Sequence, residues 1–491
     1  MTASSHIGWP ARKRVPAVLI LIGIATAVAC SDRPESRSVS PAADSADMFN
    51  LAHLEHLAED VQLGDSTVRI IHIYSEAPDY GWVGDDDEGI ACVDDAARAA
   101  VVYLRHFELT GNRASLEKAK SLVRFVMYMQ GDDGLFYNFV WDNELRINTT
   151  HRNSTATDFG WWAARAVWAL GTAARVLKEI DPEFSRHSAD RVRRTIPHLR
   201  SLLDRYGESE VRHGRAVPVW LIGTYGSDAT SEMLLGLNAL NAAYPSADVR
   251  ETIERFADGI MRMQYGSMSD FPYGAHASYV NEWHAWGNSQ TQALSEAGIT
   301  SSAVREAEHF YPRLLIEGWL HSFRLDDPDT TRRFSQIAYA VRCVAVGLVR
   351  LYEATGDVRY ARMAALAASW FAGNNPAAVM MYDPDTGRGF DGINGPESVN
   401  RNAGAESTIE ALMTMLEVEH VDEARPWMHT RGSDPAKRDR GGETFLYRVL
   451  STTGSDAMPA RRLGLAANLT AERLHLFEGD ELEEFLREVS P

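Results

Sequence analysis

Cysteine is scarce in this chain of 491 residues, which contains only three. Two of them, Cys92 and Cys343, lie in the body of the chain and are too few for a disulfide scaffold or a cysteine-based metal site. The histidines are scattered and form no His-x-x-x-His pair, which disfavours a zinc site. The sequence also lacks a Gly-x-Ser-x-Gly elbow, a Walker loop and a dinucleotide-binding fingerprint. We therefore expect neither a metal nor another cofactor.

Basic residues are outnumbered by acidic ones. Without residues 1–30, which hold three bases and no acid, 46 Lys and Arg face 68 Asp and Glu, a net charge of −22. The negative electrostatic field of such a chain repels the phosphate backbone of nucleic acids, so nucleic acid is not an expected partner. It also argues against polyanionic polysaccharides unless a local basic patch overrides it.

The first 30 residues are typical of an export signal and are excluded from the fold. A basic stretch, Arg12-Lys-Arg14, precedes an apolar run over residues 15–28 that is too short to span a bilayer comfortably. The run ends in Ala27-Val-Ala-Cys30, which resembles a bacterial lipobox and implies cleavage before Cys30, with diacylglycerol attached to its sulfur. An ordinary secretory signal is the alternative.

The next segment, residues 31–48, is polar and rich in proline, serine and alanine, which predicts a flexible tether. Ser31, rather than an aspartate, follows the lipobox cysteine and favours sorting to the outer membrane in a cell with two membranes. Together the two segments predict an exported bacterial lipoprotein, held to the membrane through Cys30 at the outer membrane or the periplasmic face.

The body of the chain, from about residue 50 to 420, predicts one helix after another. Apolar residues recur at spacings of three and four, and strand-like alternation is nearly absent. The predicted helices cover residues 93–110, 113–130, 158–178, 182–206, 228–244, 247–265, 282–297, 301–323, 333–355, 358–371 and 405–419.

The helices pair into similar units. Phe107-Glu-Leu-Thr-Gly-Asn112 matches Tyr352-Glu-Ala-Thr-Gly-Asp357, each a tight turn between two helices, and long loops rich in polar and aromatic residues follow the second helix. About six such hairpins in a ring predict an all-α (α/α)6 toroid over residues 49–424, whose long loops form the rim of an active site. An open superhelix is the competitor. Residues 425–491 are expected to form an extension packed on the toroid, ending in an acidic amphipathic piece.

Two acidic, glycine-rich segments supply the candidate catalytic residues. Asp94 and Asp95 follow the loop Gly84-Asp-Asp-Asp-Glu-Gly at the start of one helix, and Glu406 lies in the first turn of another. Helix capping and dipole effects are the ordinary explanation for such acids. However, the crowding of carboxylates raises their pKa, and two carboxyl groups across a cleft perform general acid/base hydrolysis of glycosides.

Polar and aromatic residues in the long loops are candidates for substrate binding. Asn148-Thr-Thr-His-Arg-Asn-Ser-Thr155 lies between Trp141 and a tryptophan pair, and a similar cluster follows the third long loop. Aromatic faces against sugar C–H groups, with polar side chains on the hydroxyls, form carbohydrate subsites. The candidates are Trp141, Asn148, His151, Arg152, Asp158, Trp161, Trp162, Tyr225, His284, Trp286, Asn288, Asp391 and Asn400.

The chain resembles the six-hairpin glycosidase superfamily of (α/α)6-toroid enzymes. The resemblance rests on Asp94-Asp-Ala-Ala-Arg-Ala99, Tyr382-Asp-Pro-Asp-Thr-Gly387, Asp391-Gly392, Val399-Asn400 and Gly404-Ala-Glu-Ser-Thr408. The layout is also similar to that of family-nine cellulases, although their Asp-Ala-Gly-Asp signature is absent. The resemblance implies a glycoside hydrolase with Asp95 or Asp94 as base and Glu406 as general acid, acting with inversion if the carboxyl groups lie about 6.5–9.5 Å apart.

Two other functions stay open at this point. One is a polysaccharide lyase or uronyl epimerase on the same toroid, with His151 or Tyr225 as base and Arg152 binding a uronate. The other is a non-catalytic glycan-binding lipoprotein, in which the acids are helix caps or calcium ligands.

Overall fold

The computed structural model describes residues 48–154, 156, 158–453 and 460–488. The predicted export signal, its Cys30 and all but the last residue of the predicted tether lie outside these residues. The helices are α1 (Ala52–Leu57), α2 (Val93–Thr110), α3 (Arg113–Tyr128), α4 (Trp161–Val176), α5 (Pro182–Arg193), α6 (Ile196–Leu203), α7 (Ser227–Ala243), α8 (Ala247–Arg262), α9 (Gln290–Glu296), α10 (Thr300–His309), α11 (Tyr311–Glu317), α12 (Ala338–Thr355), α13 (Val358–Ala368), α14 (Ala405–Glu419) and α15 (Gly479–Glu488).

Short strands connect and extend these helices. They are β1 (Ala58–Leu63), β2 (Ser66–Ile71), β3 (Tyr74–Glu76), β4 (Gly81–Val83), β5 (Ala91–Cys92), β6 (Phe139–Val140), β7 (Ser209–Arg212), β8 (Arg215–Pro218), β9 (Glu282–His284), β10 (Ser322–Arg324), β11 (Asp327–Arg332), β12 (Gln336–Ile337), β13 (Tyr382–Asp383), β14 (Arg388–Gly389), β15 (Gly392–Gly395), β16 (Ser398–Asn400), β17 (Thr430–Gly432), β18 (Ala436–Arg440), β19 (Glu443–Thr452), β20 (Arg462–Asn468) and β21 (Arg473–Glu478).

A closed ring of inner helices forms the core. Helices α2, α4, α7, α9, α12 and α14 each pack against the next, and α14 packs against α2. Five of them are followed by an outer helix that packs on them, and α1 from the other end of the chain takes the sixth outer position beside α14. The predicted (α/α)6 toroid is therefore confirmed, and the open superhelix is excluded.

The inner helices run in the same direction, because an outer helix returns the chain between one inner helix and the next, and a long loop then leads into the next inner helix. We call the end of the ring where they begin the N-terminal mouth and the opposite end the C-terminal mouth. The hydrophobic pattern separates the two layers: the first twelve residues of α12, 338–349, are all buried, whereas α8 buries only one face, which includes Val249, Ile253, Phe256 and Ile260.

The repeated Thr-Gly turns have a direct physical cause. Gly111 and Gly356 both adopt φ +73°, the left-handed conformation that ends a helix and that glycine tolerates best. The next residue then caps the following helix: the side chain of Asn112 accepts a hydrogen bond from the Ser115 N–H, and that of Asp357 accepts one from the Arg359 N–H. Both predicted turns are thus present.

The strands at either end of the chain were not predicted from the sequence. Near the start, β1 pairs with β2 and β3 with β4, although the sequence predicted helices from about residue 50. Residues 430–478 form a five-stranded antiparallel sheet, in the order β17-β19-β20-β21 with β18 on β19. One part of this sheet packs on outer helices α10 and α11, and the predicted amphipathic end folds as α15, whose Phe485 covers Phe445 and Tyr447.

Several predicted helices are too long. The predicted helix 282–297 begins only at Gln290, because Glu282–His284 pairs with β10, and the predicted helix 333–355 begins at Ala338 after strand β12. The predicted helices 182–206 and 301–323 each divide in two where a proline starts a new helix, since proline lacks the N–H needed in a helix interior. Among the described residues, no helix has the length and apolar character needed to cross a bilayer.

Inner helices α4 and α7 approach each other more closely than side chains allow. A Cβ added at Gly236 would lie 2.1 Å from the carbonyl oxygen of Val167, and one at Gly171 would lie 2.0 Å from that of Gly236. The Gly236→Ala protein should therefore lose about 2–3 kcal/mol of unfolding free energy, measured by urea denaturation, because the two helices must separate.

Gly347→Ala in α12 is the matched control for this test. A Cβ at Gly347 would lie 3.3 Å from the nearest atom, a methyl carbon of Thr291, so the space is only slightly too small. The alanine also gains about 1 kcal/mol of helix propensity. Equal destabilisation by the two substitutions would contradict the close packing of α4 on α7.

Candidate active site

Isolated charges interrupt the otherwise apolar inner helices. Arg165 lies in Trp161-Trp-Ala-Ala-Arg-Ala-Val, Arg342 in Ala338-Tyr-Ala-Val-Arg-Cys-Val, and Glu410 in Ser407-Thr-Ile-Glu-Ala-Leu. Their side chains are buried, as are those of Arg98 and Glu232. A buried charge is strongly destabilising unless an opposite charge and hydrogen bonds compensate it. All five side chains point into the ring, where they meet.

We call these five residues, Arg98, Arg165, Arg342, Glu232 and Glu410, the buried network. Glu232 accepts bonds from Arg165 Nε and Arg342 Nη2, both at 3.0 Å. Glu410 accepts from Arg342 Nε at 2.5 Å and from Arg98 Nη1 at 2.6 Å. Each glutamate thus bridges two arginines, so five of the six inner helices (α2, α4, α7, α12 and α14) are joined across the ring.

Tyr339 lies at the centre of this network. Its hydroxyl donates to Glu232 Oε1 at 2.7 Å and accepts from Arg165 Nη2 at 2.9 Å. The guanidinium carbons of Arg98, Arg165 and Arg342 lie 5.1, 5.5 and 5.0 Å from its ring centroid, within the range of cation–π attraction. Burial raises the pKa of Tyr339 well above its ordinary value, so the phenol keeps its proton.

The arginines determine the charge of Glu232. Burial alone would raise the pKa of this glutamate, but the charges of Arg165 and Arg342 and the hydrogen bond from Tyr339 outweigh it and lower the pKa to about 2. Glu232 is therefore ionised at any physiological pH, and the network stays charged.

The predicted acids Asp94 and Asp95 lie directly above the network, in the first turn of α2, but in different surroundings. The side chain of Asp95 is 5% exposed, pairs with Arg98 Nη2 at 2.8 Å and accepts a bond from the Cys92 thiol at 3.2 Å. The side chain of Asp94 is 19% exposed and pairs with Arg165 Nη1 at 2.9 Å. Of the two, Asp94 is thus the one that faces the N-terminal mouth.

Arg98 lies one turn after Asp94 on the same helix but forms no ion pair with it. Arg98 Nε donates instead to the backbone carbonyl of Asp94, because its guanidinium group turns inward to Asp95 and Glu410. Asn138 then holds the Asp94 carboxylate from the other side, donating from Nδ2 at 3.3 Å.

Glu406, in the first turn of α14, is the most open of these carboxyl groups, with 44% of its side chain exposed. Its Oε2 lies 3.3 Å from both Nη1 and Nη2 of Arg98. Although water reaches it, the surrounding ring desolvates the carboxyl group and raises its pKa, against the opposing charges of Arg98 and Arg165. Burial raises the pKa of Asp95 as well.

Asp95 and Glu406 are held by the same nitrogen atom. Arg98 Nη2 lies 2.8 Å from Asp95 Oδ1 and 3.3 Å from Glu406 Oε2, so the two oxygens are at most about 6 Å apart. This separation is shorter than the roughly 6.5–9.5 Å of an inverting pair. The Asp95 carboxylate is also already held by Arg98 and by the Cys92 thiol, whereas Asp94 makes no ion pair with Arg98.

An aromatic cluster lies at the same mouth. The ring of Trp161, the first residue of α4, packs against Gly287, where an added Cβ would be 2.3 Å from the ring. Trp286 stacks on the imidazole of His284 at 3.9 Å between ring centroids. His284 Nε2 in turn lies 3.0 Å from Asp228 Oδ2, in the first turn of α7. The starts of three neighbouring inner helices bring together the predicted residues Trp161, His284 and Trp286, and add Asp228, which was not predicted as a site residue.

Asp391 and Asn400 also lie together, beside the first turn of α14. The Asp391 carboxylate accepts from Ser407 Oγ at 2.8 Å and from Asn400 Nδ2 at 3.1 Å. Burial raises the pKa of Asp391. Ser407 directly follows Glu406, the proposed general acid. The contact of Asp391 with Ser407 therefore helps to fix the helix turn on which Glu406 lies.

Four predicted binding residues are occupied by other contacts. Asn148 donates to the carbonyls of Asp87 and Glu88 and is fully buried, and Asn288 is buried and accepts from Ser278. The indole of Trp162 donates to the carbonyl of Phe136 at 2.6 Å. Tyr225 donates to Glu210 in the hairpin β7–β8. Their contacts indicate structural roles, which a pattern of polar and aromatic residues cannot distinguish from binding.

The remaining candidates lie in the loop region that follows β6. His151 packs edge-on against Phe139 at 5.2 Å, while Arg152 and Asp158 are exposed. Trp141 lines an open pocket of about 460 Å³ together with Asp85, Asp86 and Arg146. Among the residues that the structure describes, no three His, Cys, Asp or Glu side chains are grouped so as to hold a metal ion.

The buried network itself was missed in the sequence. The signal that could have revealed it is a single charged residue inside an apolar helix, repeated in several helices, as at Arg165, Arg342 and Glu410. Such a residue must be buried with its helix and therefore needs partners. Which residues pair depends on the closure of the ring.

Comparison with known proteins defines the fold. No protein-family model and no curated protein sequence matches the chain. A sugar epimerase from a ruminal bacterium is similar with a TM-score of 0.51 and 12% identity, over 72% of this chain and 92% of that one. Cellobiose 2-epimerase from Bacillus thermoamylovorans gives 0.50 and 11%, over 72% and 92%. A metagenome-derived glycoside hydrolase family 9 endoglucanase gives 0.45 and 14%, over 74% and 79%. The resemblance to six-hairpin-type (α/α)6 enzymes is confirmed for the fold.

The buried network should dominate the stability of the ring. Glu232→Gln leaves Arg165 and Arg342 without a common counter-charge, so it should lower the unfolding free energy at neutral pH by about 3–5 kcal/mol in urea denaturation. Because the pKa of Glu232 falls from 4.5 unfolded to about 2 folded, the ionic stabilisation is complete above pH 4.5 and is lost as the pH falls toward 2. The difference between the two proteins should shrink over that interval.

Glu353→Gln serves as the control for this experiment. Glu353 also pairs with an arginine, Arg350, but its side chain is 53% exposed. An exposed ion pair contributes under about 1 kcal/mol. Equal effects of the two substitutions would show that burial of the network does not matter for stability.

Proposed function

We propose that the protein is an enzyme acting on carbohydrates and, specifically, a glycoside hydrolase whose active site lies at the N-terminal mouth. The observation that carries this proposal is the position of Asp94 and Glu406. They are carboxyl groups that water reaches, they touch the arginines of the buried network, and they start two neighbouring inner helices. Two such groups, one on each side of the scissile bond, are the requirement for acid/base hydrolysis of a glycoside.

Glu406 is assigned as the general acid. Its raised pKa favours the protonated form that an acid needs, and its exposure lets it reach the glycosidic oxygen. Asp94 is assigned as the base that activates water, since Arg165 and Asn138 fix its carboxylate. The proposed inverting mechanism requires these two carboxyl groups to lie about 6.5–9.5 Å apart.

The aromatic cluster supports a sugar substrate. Trp161 and Trp286 present flat apolar surface at the mouth, and His284 with Asp228 provides polar atoms beside it. His151, Arg152, Asp158 and Trp141 are proposed to form outer subsites on the loops that follow β6. A sugar substrate also agrees with the names of the similar solved structures, which include sugar epimerases and an endoglucanase.

Substitution of the two proposed catalytic groups tests this function. On a panel of polysaccharides, mass spectrometry should find saturated products that carry one added water per cleavage. Glu406→Gln and Asp94→Asn should each lower kcat at least about 100-fold, because each removes one proton-transfer step. The rate of the unmodified enzyme should fall as the pH rises through the pKa of Glu406, which lies above 4.5, because the acid must be protonated.

Glu397→Gln and Asp65→Asn are matched controls for these variants. Both carboxylates are exposed; Glu397 lies in the loop before α14, and Asp65 lies in the turn between β1 and β2. They should leave kcat within about twofold, since a surface charge outside the site does not enter the reaction. Unsaturated products would instead indicate a lyase, and binding without any product would indicate a glycan-binding protein.

Proton abstraction from a sugar carbon is the second candidate function, favoured by the His284–Asp228 pair. His284 Nε2 lies 3.0 Å from Asp228 Oδ2, so its N–H donates to that carboxylate. The Nδ1 of His284 is buried and has no hydrogen-bond partner among the described residues, so its lone pair is free to accept a proton from a substrate that enters beside it. This arrangement would serve isomerisation, epimerisation or elimination. It replaces the bases suggested by sequence, because Tyr225 is engaged with Glu210 and His151 Nδ1 accepts from the Asn153 N–H.

Deuterium exchange separates the two functions. With cellobiose, glucose and mannose in D₂O, proton abstraction should place deuterium on the carbon next to the carbonyl group, observed by NMR. His284→Asn should reduce that exchange at least about 100-fold, whereas His213→Asn, an exposed control, should not. Absence of exchange with every sugar, together with hydrolysis of a glycan, would leave His284 with a binding role.

A further inference from the structure

The inner faces of the six ring helices continue beyond the buried network to the C-terminal mouth. There they line a second cavity of about 300 Å³, to which every inner helix contributes side chains from its second half. Its floor is apolar and includes Val101, Trp168, Leu235, Val346 and Met413. The buried network lies between this floor and the N-terminal mouth, so the cavity is separate from the proposed active site.

A chain of ion pairs surrounds the cavity. Arg175 binds Glu108, and Arg105 joins Glu108 to Glu417 with two contacts at 2.7 and 3.0 Å. Arg350 Nη2 then contacts Glu417 Oε1 at 2.6 Å. Each of these charges has an opposite partner within the protein. An anion or a cation entering the cavity would therefore have to compete with an ion pair that already exists.

These features favour a neutral ligand rich in hydroxyl groups. Paired guanidinium and carboxylate groups retain unused donors and acceptors, which hydroxyl groups can engage without breaking an ion pair. The apolar floor suits the C–H surface of a sugar ring. The volume lies at the lower end of the range for small-molecule sites, about 300–1,000 Å³, and therefore suits a single sugar unit.

We propose that the C-terminal mouth binds a neutral monosaccharide at a second, non-catalytic site. The proposal goes beyond the hydrolase function and does not depend on it, because binding requires no turnover. Its position on the far side of the buried network keeps a sugar bound there out of reach of Asp94 and Glu406.

Blocking the cavity tests this site. Ala239 and Ala242 of α7 line it, and both are at least partly accessible, so a tryptophan at either position fills the space without removing a charge. Glucose, galactose, mannose and N-acetylglucosamine are titrated by calorimetry into a Glu406→Gln, His284→Asn background that disables both proposed reactions. At least one sugar should bind. Ala239→Trp or Ala242→Trp should raise the dissociation constant of that sugar at one site at least tenfold.

The controls keep the result independent of folding and of catalysis. Ala114→Trp, at an exposed position in α3, should leave the binding unchanged, and circular dichroism confirms that each variant is folded. Having two blocking variants keeps the test decisive if one of them does not fold. Three results would overturn the proposal. The first is a sugar affinity that neither tryptophan changes, and the second is the absence of binding by every sugar in the panel. The third is that butylamine or butyrate binds at this mouth and the sugars do not.

Discussion

The side chains of the buried network are almost completely shielded from water, so each charge must be met by another within the ring. Arg98, Arg165 and Arg342 carry three positive charges, and Glu232 and Glu410 carry two negative ones. One positive charge is left over. Asp94 and Asp95, which contact Arg165 and Arg98 from above, compensate it. The acids at the N-terminal mouth are therefore part of the electrostatic balance that allows the ring to close.

The direction of the inner helices divides the ring into two unlike ends. Their first turns and the long loops meet at the N-terminal mouth, where helix dipoles favour negative groups such as Asp94, Asp228 and Glu406. The short Thr-Gly turns leave the C-terminal mouth less covered, and arginines meet glutamates there around an apolar floor. Long loops before the inner helices and short turns after most of them thus give the two mouths different chemistry.

Local patterns predicted the fold better than the site. Residues 93–110 and 405–419 were expected as helices and are helical over those bounds, and the toroid followed from the repeated turns. Strand β9 was missed because it forms only by pairing with β10, almost forty residues later. In the same way, Asp94 pairs with Arg165 of α4 and not with Arg98 of its own helix, because closure of the ring brings Arg165 beside it. The polar residues Asn148 and Asn288 were expected to bind substrate, but local pattern does not show that their amides are already used.

Glu406 and Glu410 illustrate how one helix produces two kinds of acid. They lie one turn apart on the same face of α14, and both contact Arg98. Glu410 is fully buried, and Arg342 binds it from the other side, whereas Glu406 has only long contacts of 3.3 Å to Arg98 and is open to the mouth. Asp94, Asp95 and Glu406 are three acids beside a single excess positive charge, so one of them can be protonated without leaving an arginine unpaired. Protonation costs least at Glu406, the most weakly paired of the three. The pairing that stabilises the ring thus also leaves one carboxyl group suited to donate a proton.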